Sequence, residues 1–147
     1  TLKTYFDTLY MALTGNQTVA GNKNFTGNLL MTGASSVIGY GTGSGGTVTQ
    51  PPTNGKATAV TLNKPTGRIK MNNAALAAGA EVSFTVFNSL ITGEETPNVV
   101  AFNNANYDVR VHFVIVGSFN IIVKNQSLGN LSEALDINFA IIKGATA

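Results

Sequence analysis

The stretch Tyr107 to Gly117, YDVRVHFVIVG, decides the fold. Its side chains alternate between apolar and polar with a period of two, the pattern of a strand with one face in a core. On that reading Tyr107, Val109, Val111, Phe113 and Ile115 point inward. Asp108, Arg110 and His112 then share the opposite face. The same alternation recurs on either side. In EVSFTVFN, Val82, Phe84 and Val86 face one way, and Ser83 and Thr85 the other. In SFNIIVKN the inward set is Phe119, Ile121 and Val123; in LDINFAIIK it is Leu135, Ile137, Phe139 and Ile141. Shorter strands are expected at Ala59 to Leu62 and Arg68 to Met71. KPTG, NSLITGEETPN, VGS and SLGN supply the turns, each with a Gly or Pro. Asn73 to Ala80, NAALAAGA, reads as one helical turn or a packed connection. Several short strands with one apolar face predict an all-β chain whose residues 53–147 form a β-sandwich head, jelly-roll-like.

Upstream the character changes twice. In TLKTYFDTLYMAL, residues 1–13, Leu2, Phe6, Leu9 and Leu13 are spaced four, three and four apart. That is the a/d seam of a coiled coil, and these four are the expected trimerisation residues. Fewer than two heptads cannot hold as a lone helix, so the segment reads as the end of a longer stem; an amphipathic helix on the head is the alternative. Residues 14–52 are rich in Gly, Asn, Ser and Thr. Val19, Phe25, Leu29 and Val37 recur between short runs such as NQTVAG, KNFTG and SVIGYG. Each run is too small to bury a face alone. Three copies wound round one axis supply the missing neighbours, which predicts an intertwined β-stem rather than a flexible linker.

Composition narrows the function classes. Of 147 residues, 44% are hydrophobic, enough for a core, and only 11% are charged. Low charge argues against disorder and suggests surface buried between copies of the chain. The net charge of +2 comes without a Lys/Arg cluster, so nucleic acid is not an expected partner. Cysteine is absent, which removes disulfides and thiolate metal sites. No apolar run reaches membrane-spanning length, so no membrane insertion is expected. The chain opens at Thr1 in mid-pattern and reads as part of something longer.

No catalytic, metal or cofactor site is expected. GTGSGG, Gly41 to Gly46, matches GxGxxG, but TVTQPP follows it and cannot begin the helix that a dinucleotide fold needs. A hinge between stem and head is the better reading. His112 is the lone histidine. With Asp108 and Arg110 it forms either a solvated polar row, a subunit contact or a receptor contact; three His112 copies on a threefold axis are a remoter metal site. Glu94 and Glu95 are adjacent and so point apart, unlike the paired carboxyls of a glycosidase; they read as a loop tip. Glu133 and Asp136 read as exposed. Asn-x-Ser/Thr triplets at Asn16, Asn24, Asn125 and Asn130 arise by chance in an Asn-rich chain. Tyr40, Phe102 and Tyr107 lie near expected loops beside Asn103, Asn104 and Asn106, an arrangement suited to stacking on sugar rings. Packing in the core or between subunits is the competing role for these aromatics.

LKTYFDTLYMALTGNQTVAGNKNFTG is similar to the repetitive stalk segments of bacteriophage tail fibres. GYGTGSGGTVTQPPTNGKATAVTLNKPTGRIKMNNAALAAGAEVSFTVFNSLI, with the ending GSFNIIVKNQSLGNLSEALDINFAIIKGATA, resembles a module near the C-termini of phage fibre and other virion proteins. Together they cover nearly the whole chain. The resemblance implies a homotrimeric, non-enzymatic fibre tip on the virion, made in the bacterial host cytoplasm. It implies attachment to a host-surface polysaccharide or outer-membrane protein, and to other tail proteins through a preceding part of the chain. PPTNG and GEETPNVVAFNNAN depart from the module, and such loops carry specificity. The resemblance carries no mapped receptor site; the expected receptor residues are those of the polar row and the loop aromatics with their amides, Asp108, Arg110, His112, Phe102, Asn103, Asn104 and Tyr107. A capsid decoration or head-fibre protein is the alternative, and a polysaccharide-degrading tailspike is the third reading.

Overall fold

A computed structural model describes residues 20–22, 24–102 and 104–144. The heptad residues Leu2, Phe6, Leu9 and Leu13, together with Val19 and Asn103, lie outside the described residues. The chain divides into two compact units, Thr1–Ile38 and Gly39–Ala147.

In the first unit the described residues form no strand and no helix. Ser36 N donates to Gly33 O at 3.0 Å and closes one turn. Phe25, Leu29, Leu30, Val37 and Ile38 are all exposed, Val37 at 82%.

The described residues of the second unit are all-β, with eight strands: β1 (Thr47–Thr49), β2 (Val60–Thr61), β3 (Thr66–Lys70), β4 (Glu81–Phe87), β5 (Thr96–Phe102), β6 (Tyr107–Ile115), β7 (Ser118–Asn125) and β8 (Asp136–Ile142). They form two four-stranded sheets in the orders β1-β3-β8-β5 and β2-β4-β7-β6. The inner faces meet in one core. Ile69, Ile137, Phe139 and Ile141 come from the first sheet, and Phe84, Val86, Phe119, Ile121 and Val123 from the second. The rings of Phe119 and Phe139 touch across it at 5.6 Å between centroids. Each such side chain contributes about 1.5–3 kcal/mol of burial. The expected sandwich is present, but β1 with β3 and β2 with β4 run parallel. Jelly rolls are antiparallel throughout, so the strand order is a different one.

Three local features depart from the sequence reading. First, β6 pairs with β7 through Val111↔Ile121 and Phe113↔Asn120, leaving His112 as an extra residue at a bulge. The bulge shifts the phase of the strand. Tyr107, Val109 and Val111 point inward as expected, but beyond the bulge Val114 packs on the core, and Phe113 and Ile115 face out. Second, residues 96–102 are not a loop but the strand β5. Pro97 interrupts the usual strand chemistry, but β5 is a sheet edge, where a missing N–H is tolerated. Third, β1 belongs to the sandwich although it lies upstream of Thr53.

Polar side chains tie the connections down. Asn125 is fully buried. Its Nδ2 donates to Leu76 O at 2.9 Å and Gly129 O at 2.7 Å, and its Oδ1 accepts from Ser127 N at 2.9 Å. Residues 73–80 are a packed connection, with Leu76 bridged to Leu131. Gly117 adopts φ +81° in the β6–β7 hairpin, a conformation that suits glycine. Gly67 has no room for a side chain, since a Cβ there would lie 2.7 Å from Gly46 O. GTGSGG forms a turn, with Ser44 N donating to Gly41 O at 3.2 Å, and runs into β1 rather than a helix.

Candidate functional site

The sandwich offers two outer faces, and the expected receptor residues divide between them. On the first sheet, register aligns Val100, Asn138, Arg68 and Thr47 in one row, and Phe102, Asp136, Lys70 and Thr49 in the next. Arg68 lies over the Phe102 ring, its Cζ 4.3 Å from the centroid. Arg68 Nε donates to Asn138 Oδ1 at 3.0 Å, and Nη1 stands 3.9 Å from Asp136 Oδ2. Asp136, expected to be exposed, is partly covered, and its Oδ1 is buried without a hydrogen-bond partner. Ala140 is small and leaves a shallow hollow of about 270 Å³ beside Thr66, Asn98, Val100 and Asn138. That is just under the usual size of a small-molecule pocket, ~300–1,000 Å³. The face thus combines an aromatic ring, a planar cation, two amides and a carboxylate.

The outer face of the second sheet has two unlike halves. At one end Lys124 pairs with Asp108 on one side and Glu81 on the other in the ladder. Arg110 joins them: Nη1 donates to Asp108 at 2.8 Å and Nη2 to Glu81 at 3.1 Å. The Glu81 and Asp108 hydrogen bonds raise the Arg110 pKa further. Two acids and two bases therefore cancel locally, and the exposed pairs add little stability. At the other end Phe113 faces Asn120 and Thr85, and Ile115 faces Ser118 and Phe87. Phe113, Phe87 and Ile115 are 44%, 50% and 55% exposed. Ser118 and Asn120, short side chains on the middle strand, are buried between these taller neighbours, and the Asn120 amide oxygen has no hydrogen-bond partner.

The remaining expected residues have other duties. Tyr107 is in the core rather than at a loop tip, with burial and Glu133 pushing its phenol up to about 12. Lys56 Nζ lies 5.9 Å from the Tyr107 ring centroid and donates to Asn72 O at 2.8 Å and Glu133 O at 2.7 Å. Burial lowers the Lys56 pKa, opposed by Glu133. Asn104 donates its amide to Glu133. The Tyr40 hydroxyl donates to Ile141 O, leaving its ring half-exposed. His112 is exposed and meets Phe113 edge-on at 5.3 Å. Glu95 is not a solvated tip: it is buried, holding Lys143, Thr92 and Gly93. Among the described residues no three His, Asp or Glu side chains gather in a way that could hold a metal ion.

Compared with known proteins, the chain matches no protein family, no curated protein and no solved structure.

The residues that sequence reasoning passed over are Arg68, Asn138, Phe87 and Phe113. Arg68 and Asn138 occupy outward positions in strands that alternation had already located, so pairing those strands in register finds them. A period-two count places Phe113 in the core, because a single extra residue is invisible to it.

Proposed function

We propose that this chain is a non-enzymatic attachment module: the trimeric tip of a bacteriophage tail fibre, carried on the virion and binding a polysaccharide or outer-membrane protein of the host surface. One observation carries the reading. The segment from Phe25 to Ile38 exposes large apolar side chains and forms no strand or helix among its described residues. Backbone groups and apolar side chains left this way need neighbours. Two further copies of the same segment supply both, as an intertwined stem does. The likeness of the stalk phrase to phage fibres supplies the biological setting, and three copies of one head multiply weak contacts by avidity.

The first sheet's outer face is the receptor surface in this reading. Phe102 with Arg68 gives a flat stacking platform, and Asn98 and Asn138 offer amide donors and acceptors around the hollow over Ala140. The test is adhesion of the fluorescently labelled chain to a panel of Gram-negative and Gram-positive strains. Binding to some strains, reduced at least tenfold by Arg68→Ala with Phe102→Ala, is the expected result. A trimer that binds no strain overturns the attachment role.

A further inference from the structure

We propose that the apolar end of the second sheet's outer face packs on the threefold axis against the same patch of two other copies of this chain. The inference rests on the trimeric reading above and assigns the head a contact that the stem does not provide.

The patch is a built feature. Phe87 on β4 and Phe113 and Ile115 on β6 stand as walls either side of β7, whose Ser118 and Asn120 form the floor. Loop and hairpin extend it. Asn88 N donates to Gly117 O and Gly117 N to Ile91 O, both at 2.8 Å, which holds exposed Leu90 and Val116 beside the same end. Five large apolar side chains are thus exposed together, where soluble single chains keep such patches small.

Three observations select the occupant. No charged side chain stands in these rows. Glu81, Lys124, Asp108 and Arg110 neutralise one another at the far end of the face, so a charged partner finds no counter-charge and an apolar surface does. The same patch on another copy is such a surface. The floor also holds an unmet demand: Asn120 is only 7% exposed, yet its amide oxygen accepts no hydrogen bond. Such an atom is satisfied when a donor arrives from outside the chain. Threonines 61 and 85 flank the patch in the ladder, and their hydroxyls in a neighbouring copy are donors of the right kind. Finally, only Gly39 to Gly46 separate Ile38 from β1. Heads on a shared stem are therefore held at an effective concentration on the order of millimolar.

The absence of cysteine from the chain makes the test direct. Ile115→Cys and Val116→Cys are prepared separately in the full chain, with Asn98→Cys on the opposite sheet as control. Each is checked for mass by light scattering and then oxidised with copper–phenanthroline at micromolar dilution. The expected result is a disulfide-linked dimer from Ile115→Cys and Val116→Cys, approaching about two-thirds of the chains because one thiol in each trimer has no mate. Asn98→Cys stays uncrosslinked. A chain that is trimeric but forms no dimer from either patch cysteine overturns the contact and leaves the stem trimer standing. A monomer removes the trimer and the contact together. A trimer without crosslinks, in which glucose, galactose or N-acetylglucosamine shifts the backbone amide signals of Phe113 and Asn120, overturns the contact in favour of a saccharide.

Discussion

The Lys143 ammonium closes on the buried carboxylate of Glu95, 48 residues away in sequence. Thr92 N at 2.6 Å, Thr92 Oγ1 at 2.9 Å and Gly93 N at 3.1 Å complete the carboxylate's partners. This one side chain pins the loop before β5 to the end of β8. The Lys143 hydrogen bond, helped by Thr92 and opposed by burial, holds the Glu95 carboxyl down to about 2 from an ordinary 4.5. A depressed carboxyl stabilises the fold above its unfolded value and loses that effect as pH falls toward its folded one. The Glu95 contribution is therefore complete above about pH 5 and fades between 4.5 and 2. Thermal melts of the native chain and of Glu95→Gln across that range check this. The native chain loses more stability on acidification, and the two curves converge near pH 2.

The core contact between Phe119 and Phe139 joins the two sheets. Phe119→Ala removes a fully buried ring and is expected to cost about 3–5 kcal/mol. Urea unfolding followed by circular dichroism reads the change as a lowered midpoint with the strand signal kept.

Asn125 Nδ2 donates to two carbonyls of the surrounding connections, those of Leu76 and Gly129. Asn125→Ala removes the side-chain donor from both carbonyls and the acceptor of the Ser127 amide, at an expected cost of about 1–3 kcal/mol. Hydrogen exchange adds a local readout: the amide of Ser127, which donates to Asn125 Oδ1, loses protection first.

Deleting His112 removes the bulge residue while leaving Val111↔Ile121 and Phe113↔Asn120 as ladder pairs. The facing of Phe113, Val114 and Ile115 is then unchanged. The shortened chain is expected to fold, with core amide signals of β4 and β8 retained in NMR spectra. If the bulge instead carries the fold, those signals collapse.

Much of the architecture was legible because sandwich strands announce themselves by alternation. Phe84 and Val86, Phe119 to Val123, and Ile137 to Ile141 were each assigned inward from sequence, and each is in the core. What alternation cannot show is a change of phase. The extra residue at His112 moved Phe113 and Ile115 to the surface with no mark in composition. Both edge strands of the first sheet were also hidden: β1 is three residues among glycines, and β5 carries Pro97. A three-residue strand is too short to show alternation, and proline in a strand is tolerated only at an edge, so neither reads as a strand by its pattern. The polar row Asp108–Arg110 was found on the correct face. Its partners Glu81 and Lys124 come from two other strands, and register across strands is a tertiary fact.

The central claim is that the chain acts as a trimer. Multi-angle light scattering of the purified chain at micromolar concentration tests it most directly. The account predicts a stable particle of three chain masses that persists on tenfold dilution; a particle of one chain mass contradicts it.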